Sequence, residues 1–384
     1  MVGTFSAAAA AATSSRNVSS YRSLAQLCLC KVEHIVKQWW QHIPYIHPHY
    51  AVKSYPNPIL INKLAQSGFG FDCASKNEIC LTQTCTKLAS CHPISLIYAN
   101  PTKSPDDIEY AMKHNVNDYV VDSIEEVEKI HGIDPAARYV IRMLSHESDS
   151  IMKFNKKFGA NFSECHAMMD YMAKHDLHFS GFSYHVGSKC RNMDMHKHTI
   201  DGILSHCVPY GEANGLKTSV IDIGGGFECV QNLADIHRLC SDNYLTLFER
   251  KGIQLMAEPG RLISSGSLNL ITKVIAVRER RIGEESKLYI TINDSVYHSF
   301  QGKMFDYQLF QPKPLYNACK NARSCTIFGQ TCDSLDVICE NVMLPPPAIG
   351  DFLLFENMGA YSLASATGQF NGFESAIMLD APLS

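Results

Sequence analysis

The sequence predicts a (β/α)8 barrel followed by an all-β domain. Two observations carry this. Eight short apolar runs, each ending on a polar residue or a glycine, alternate with longer amphipathic segments through the first two thirds of the chain. Such runs fit parallel strands buried on both faces, and strands alternating with helices close into a barrel. Past about Ser265 the long helical segments stop, and short apolar runs punctuated by glycines and Pro345–Pro347 continue alone. The expected domains are an Ala/Ser-rich tail over 1–23, a barrel over 24–265 and a β domain over 266–384. The segment near 24–30 is a candidate member of the β domain.

In chain order the eight runs are 49–53, 69–72, 96–100, 118–122, 139–142, 181–185, 219–224 and 253–258. Between them, Ile59, Leu60 and Leu64 form one apolar helical stripe. Ser104 is a candidate N-cap with Pro105 in the first helical position, and Ser123 with Glu126 has capping-box spacing. In the β domain the expected strands are 268–277, 287–291, 326–328, 352–355 and 375–379. A barrel of this type does its chemistry at the C-terminal ends of its strands. Those ends carry Lys53, Asp72, Asn100, Asp122, Arg142, His185, Gly224 and Glu258, a largely polar ring around one mouth.

Composition narrows the function class. The 384 residues are 46% hydrophobic and 19% charged with a net charge of -4, which gives no electrostatic reason to bind nucleic acid. No apolar run has the length of a membrane span. The 15 cysteines are odd in number and contain no CxxC pair, which argues against a zinc ribbon and for a reducing compartment, the cytoplasm. No metal site is expected: His196 and His198 are two apart and would not share a helix face, so a surface position is the expectation. The tail has no acidic residue before Glu33 but only Arg16 and Arg22 as early cations, so a disordered tail is preferred over an organellar transit peptide.

Four strings at strand ends carry chemistry, and a fifth lies in the β region. Asp222-Ile-Gly-Gly-Gly226 bares backbone N–H groups that cradle an anion, or is simply a tight turn. Glu258-Pro-Gly-Arg261 offers a guanidinium fork for phosphate, or a surface salt bridge. Tyr50-Ala-Val-Lys53 puts a lysine at the end of a buried strand, where snorkelling to solvent is the bland explanation. A phosphate cradle next to an inward lysine suggests pyridoxal phosphate, with the amine as nucleophile. His185, in Phe182-Ser-Tyr-His185-Val-Gly-Ser188, suits an acid, a base, a ligand or a flat wall against an aromatic cofactor. Gln330-Thr-Cys332-Asp333-Ser-Leu-Asp336 sets two carboxylates after a thiol, or is a polar turn.

Together these strings resemble the eukaryotic-type ornithine decarboxylase family of alanine-racemase-like enzymes. Phe71-Asp-Cys-Ala-Ser-Lys-Asn-Glu78, Tyr98-Ala-Asn-Pro101, Lys157-Phe-Gly-Ala160, Phe355-Glu-Asn-Met-Gly-Ala-Tyr361 and Phe370-Asn-Gly-Phe373 extend the likeness from about Leu24 to Phe373. The resemblance implies decarboxylation of ornithine to putrescine, with Lys53 carrying pyridoxal phosphate covalently. It further implies that Glu258 faces the pyridine nitrogen and that His185 stacks on the ring. Ser188, Gly226, Arg261 and Tyr361 would bind the phosphate, and Gly225, Pro259 and Gly260 would also contact the cofactor. Asp72, Glu78 and Arg142 would support the lysine and ring. Asn293, Asp294, Asp333 and Phe370 would line the substrate site, the two aspartates taking the distal ammonium, and Cys332 would return a proton after CO2 leaves. A homodimer with shared active sites is implied, Cys332 and Asp333 coming from the partner chain and Lys157 pairing with Asp336 across the interface. An antizyme-type regulator is a further implied partner.

The chain departs from the family pattern at Lys189, where a glycine or small residue is usual. Further departures are Leu262-Ile263 after Arg261, Ser54-Tyr55 after Lys53, Phe328-Gly-Gln330 and Ser334. These leave lysine or another basic amino acid as alternative substrates. They also keep open a catalytically inactive regulator of the antizyme-inhibitor kind.

Overall fold

The computed structural model describes residues 22–87, 94–145, 150–152, 154–190, 192–283, 285–316 and 321–379. Of the expected 1–23 tail only Arg22 and Ser23 fall among them. Both are tied down: Arg22 pairs with Glu374 at 2.8 Å, and the buried Ser23 donates its hydroxyl to Asp294. The chain divides into two compact units. One spans Val32–Ser264, and the other joins Ser265 onward to the N-terminal residues through Lys31.

The first unit is a closed barrel of eight parallel strands. They are Ile46–Ala51, Gly70–Cys73, Leu96–Tyr98, Asp118–Val121, Arg138–Arg142, His178–Ser183, Val220–Asp222 and Gln254–Ala257. The eighth closes onto the first with Leu255 beside Ile46 and Ala257 beside Pro48. Ile97, Val120 and Val140, from three consecutive strands, pack together with Val220 and Met256 of the seventh and eighth. Side chains from opposite walls therefore fill the lumen, and chemistry is confined to its mouth.

Local signals set the helices. Ser104 accepts the Asp107 amide and opens Pro105–Lys113. Ser123 likewise accepts the Glu126 amide and opens Ile124–His131. The other half of that expected capping box is absent, because the Glu126 carboxylate turns to the Lys103 amide and to the Lys129 ammonium. In helix Pro58–Gln66 the buried face is Leu60, Ile61, Leu64 and Ala65, while Ile59 is exposed. His196 is also placed differently from expectation. It is fully buried, its Nδ1 lies 3.0 Å from the Tyr184 hydroxyl, and burial pushes its imidazole down to about 3.

The strands stop sooner than the apolar runs. The first ends at Ala51, and Lys53 sits in the single 3-10 turn Val52–Ser54. The sixth ends at Ser183 and the eighth at Ala257, so His185 and Glu258 stand on the loops that follow. The Ala51 amide donates to the Pro259 carbonyl at 3.3 Å, which ties the Glu258-Pro-Gly turn to the approach to Lys53.

The second unit is an eight-stranded mixed sheet. Its main path runs Pro312–Pro314, Phe352–Phe355, Leu268–Ile282, Glu285–Ile292, Arg323–Phe328 and Val337–Leu344. Leu24–Leu27 pairs antiparallel with Leu268–Ile282 and parallel with Ile377–Met378. Two of these strands escape sequence reading for physical reasons. Val337–Leu344 is interrupted by Glu340 and by Asn341, which takes a left-handed φ of +56°. Pro312–Pro314 carries two prolines, tolerated because an edge strand pairs on one side only and does not need every residue to donate an N–H.

Candidate active site

At the barrel mouth, the Lys53 ammonium lies 2.6 Å from Asp72 Oδ2; Asp72 is wholly buried and Lys53 half exposed. The second oxygen of Asp72 makes no hydrogen bond, nor does one oxygen of the buried Asp222. The other Asp222 oxygen accepts the Gly224 amide at 2.8 Å. Burial pushes the Asp222 carboxyl up to about 6, opposed mainly by that amide. Burial, and then the nearby charges of Asp222 and Asp72, hold the Glu258 carboxyl well above its ordinary value, with Lys53 and Arg142 pulling the other way. Glu78 accepts the Ala74 amide at 2.7 Å, and burial raises its carboxyl too. The mouth is thus a carboxylate pocket with Lys53 and Arg142 as its cations. Arg142 is itself set over the Phe158 ring at 5.2 Å.

His185 is held neutral. Burial, then the charges of Arg142 and Lys53, press its imidazole well below its usual range, and its Nδ1 accepts the Gly187 amide at 3.0 Å. Phe154 packs edge-on against the ring at 4.9 Å. A neutral, fixed imidazole suits a wall against an aromatic ring better than a proton donor.

Glycine is required beside it. A Cβ on Gly224 would lie 2.2 Å from the Tyr184 carbonyl, and one on Gly225 would lie 2.8 Å from His185 Nε2. Gly224 and Gly226 also take φ of +66° and +100°. Arg261, opening the short helix Arg261–Ser264 behind Pro259 and Gly260, reaches Ser188 Oγ at 3.4 Å. A cradle of bare backbone with a guanidinium and a hydroxyl fits a phosphate. A buried carboxylate suits a protonated pyridine nitrogen, and an accessible amine suits an aldehyde carbon. The residues present therefore fit pyridoxal phosphate, and Lys53, Asp72, Glu78, Arg142, His185, Ser188, Gly225, Gly226, Glu258, Pro259, Gly260 and Arg261 would surround it.

The β unit holds the remaining candidates. Cys332 is exposed, and its amide and Sγ both contact Asn371 Oδ1, at 3.2 and 3.3 Å. Asp333 accepts the Tyr297 hydroxyl and the Leu335 amide, which together hold its carboxyl below the usual value. Tyr297 stacks on Phe370 with ring centroids 3.7 Å apart. Tyr361 takes a left-handed φ of +52°, its carbonyl held by the Gln301 amide group. Tyr297 and Asn371 are contacts that no motif announces, although Asn371 lies inside the Phe370-Asn-Gly-Phe373 string.

Two expectations need correction, and the two interface candidates make contacts within their own chain. Asp294 is buried, and its oxygens accept the Ser295 and Ser299 amides and the Ser23 and Ser299 hydroxyls. A carboxylate so enclosed fixes a turn and has no face for an ammonium. Asn293 is also buried, with Oδ1 on the Lys273 amide at 2.6 Å. Asp336, expected to bridge chains, is shielded and accepts the Val296 and Thr331 amides and the Thr331 hydroxyl of its own chain. Lys157 lies against the Phe158 ring at 4.8 Å. Asp294→Ala should accordingly lower stability by about 3 kcal/mol, since four buried donors lose their acceptor. Thermal melting checks this. A raised KM at unchanged melting temperature would restore the substrate role.

Comparison with known proteins agrees with this geometry. Residues 29–265 match the family model of the pyridoxal-dependent decarboxylase pyridoxal binding domain. A probable ornithine decarboxylase of Dictyostelium discoideum is 33% identical over 355 residues, covering 88% of this chain and 76% of the relative. Antizyme inhibitor 2 of Xenopus laevis is 34% identical over 353 residues, covering 87% and 75%. The crystal structure of an agmatine-bound arginine decarboxylase from Paramecium bursaria Chlorella virus superposes with a TM-score of 0.87 at 26% identity, covering 98% of this chain and 100% of the other. The chain belongs to the pyridoxal-dependent decarboxylases, the family that includes the ornithine decarboxylases.

Proposed function

We propose that this protein is a homodimeric enzyme that converts L-ornithine to putrescine and CO2. The observation that carries the reading is the intact mouth, where Lys53, Asp72, Arg142, His185 and Glu258 influence one another directly. A protein that only regulated a related enzyme would have no need of this set. The relatives support ornithine as substrate.

Pyridoxal phosphate, when bound, supplies the electron sink that accepts the pair left behind by departing CO2. The chain does the rest. Lys53 Nζ would hold the cofactor through its amine. Glu258 would give up its proton to face the ring nitrogen as a carboxylate, which would strengthen the sink. Arg261 and Ser188 would hold the phosphate, and His185 would wall one ring face. Cys332 Sγ delivers a proton to the substrate α-carbon.

For the distal ammonium, Asp333 is one acceptor, already ionised. Asp306 is a better second candidate than Asp294. It is buried, and its partner Gln308 also donates to the Ala360 carbonyl, next to Tyr361. Paired carboxylates favour a cationic side-chain end over a neutral one.

CO2 release from ornithine, lysine, arginine and diaminopimelate, measured side by side, tests the reading. We expect ornithine to lead lysine by roughly 10-fold or more in kcat/KM, the usual worth of one methylene. Faster release from another substrate reassigns the specificity. Release from none of them favours the inactive-regulator alternative.

The dimer is supported by a run of exposed apolar side chains in the β unit. Phe305 is 74% and Leu309 92% exposed, and Leu335 directly follows the Cys332–Ser334 stretch. Mixed Lys53→Ala and Cys332→Ala chains, each inactive, should recover about a quarter of wild-type activity through random pairing. No recovery, with subunit exchange verified, rejects shared sites. Among the described residues no helix is long and apolar enough to cross a membrane. The cytoplasm is the compartment proposed, on the many unpaired thiols, and an antizyme-type regulator remains a proposed partner.

A further inference from the structure

The phosphate cradle already contains an anion of its own. Glu228 Oε1 lies 3.1 Å from Arg261 Nε and accepts the Lys189 amide, also at 3.1 Å. The first contact is an ion pair and the second a hydrogen bond, and both flank Ser188, whose hydroxyl accepts from the other arm of Arg261. One carboxylate oxygen thus sits among the groups to which the cofactor phosphate would bind.

The backbone is arranged to produce this contact. Lys189 adopts a left-handed φ of +56°, rarely taken by a residue with a side chain, and this conformation accompanies the amide's contact with Glu228. On the other side, the Glu228 amide donates to Asn232 Oδ1 at 2.8 Å, and the Cys229 amide donates to the same oxygen at 3.0 Å. Asn232 therefore anchors the start of helix Val230–Asn243, with Glu228 just ahead of the N-cap residue Cys229. The Glu228 side chain is 30% exposed, so it has a route to solvent.

We infer that Glu228 is a built-in surrogate for the cofactor phosphate, which must displace it on binding. A carboxylate and a phosphate cannot share one guanidinium nitrogen and one amide, and two anions at such range repel. Glu228 therefore preorders Arg261 and the Ser188–Lys189 turn while the cofactor is away, and weakens cofactor binding by competing for the same donors. The residue sets how readily this enzyme gains and loses its cofactor. The inference rests on the reading of this mouth as a pyridoxal-phosphate site.

Equilibrium dialysis of the full-length protein and of Glu228→Gln against pyridoxal phosphate, pyridoxal and inorganic phosphate tests it. The variant should bind pyridoxal phosphate about tenfold more tightly, and inorganic phosphate should compete better by a similar factor. Pyridoxal, which lacks the phosphate, should bind both proteins equally. Weaker binding of pyridoxal phosphate by the variant would mean that Glu228 merely positions Arg261, and overturns the inference. Equal tightening for pyridoxal overturns it too, since the effect would then not pass through the phosphate. If the unmodified protein takes up no pyridoxal phosphate, the reading of the site itself fails, a result distinct from the others.

Discussion

Lys53→Ala is expected to abolish the visible absorbance of bound cofactor and to lower CO2 release by at least about 10^3-fold. The amine is the group that would hold the cofactor, and its described neighbours in the carboxylate pocket are poor substitutes: Arg142 is a guanidinium and His185 is fixed by the Gly187 amide. The same substitution has a second, separable effect. Asp72 is wholly buried and loses the ammonium 2.6 Å away, while Asp222 and Glu258 remain close by. Removing one partner of a fully buried pair costs about 3–5 kcal/mol, and the half-exposed Lys53 discounts this to roughly 1–2 kcal/mol. Lys53→Arg separates the two effects. Its guanidinium keeps a positive charge near Asp72, so melting temperature should largely recover while activity stays lost. If Lys53→Ala keeps its absorbance band, or if Lys53→Arg is active, Lys53 is not the cofactor lysine.

The sequence disclosed the barrel because its rhythm is local: each strand is a short apolar run and each helix carries its own cap. Ser104 and Ser123 accept their predicted amides because N-capping depends on three neighbouring residues alone. The mouth was legible for a related reason, since a strand end fixes which residues point there. What stayed hidden depends on partners far along the chain. Asp294 reads as an available carboxylate until Ser23, 271 residues earlier, closes over it. Asp336 reads as a surface acid until Val296 and Thr331 are folded against it. His196 reads as polar surface until Tyr184 gives its buried ring a hydroxyl. Glu228 has no motif signature at all, and its contact with Arg261 exists only because two barrel loops meet. Lys189 was visible as a departure from the family pattern, and the left-handed backbone there shows why a glycine would be at ease in that position.

Glu258→Gln should leave cofactor binding intact and lower CO2 release by about 10^2–10^3-fold. Lys53, Arg261 and Ser188 are untouched by the change, and the amide has nearly the same volume, so the pocket keeps its shape. What it loses is the negative charge that favours a protonated ring nitrogen. The cofactor-free protein supplies an independent readout. Burial raises the Glu258 carboxyl well above its ordinary value and lifts Asp222 to about 6, so the folded state holds protons that the unfolded chain has released. The stability from those protons is fully present below the unfolded values, about pH 4. It is lost as pH rises through the raised folded-state values, about 6 for Asp222 and well above the ordinary carboxylate value for Glu258. Glu258→Gln should remove the Glu258 share of this decline, so its melting temperature should change less with pH above the ordinary carboxylate range than that of the unmodified chain. A carboxylate with only a packing role would give neither the loss of turnover with retained cofactor nor the flattened profile. Activity within a few-fold of wild type would mean that the ring nitrogen does not depend on Glu258, and that another buried acid of the mouth, Asp222 or Asp72, faces it instead.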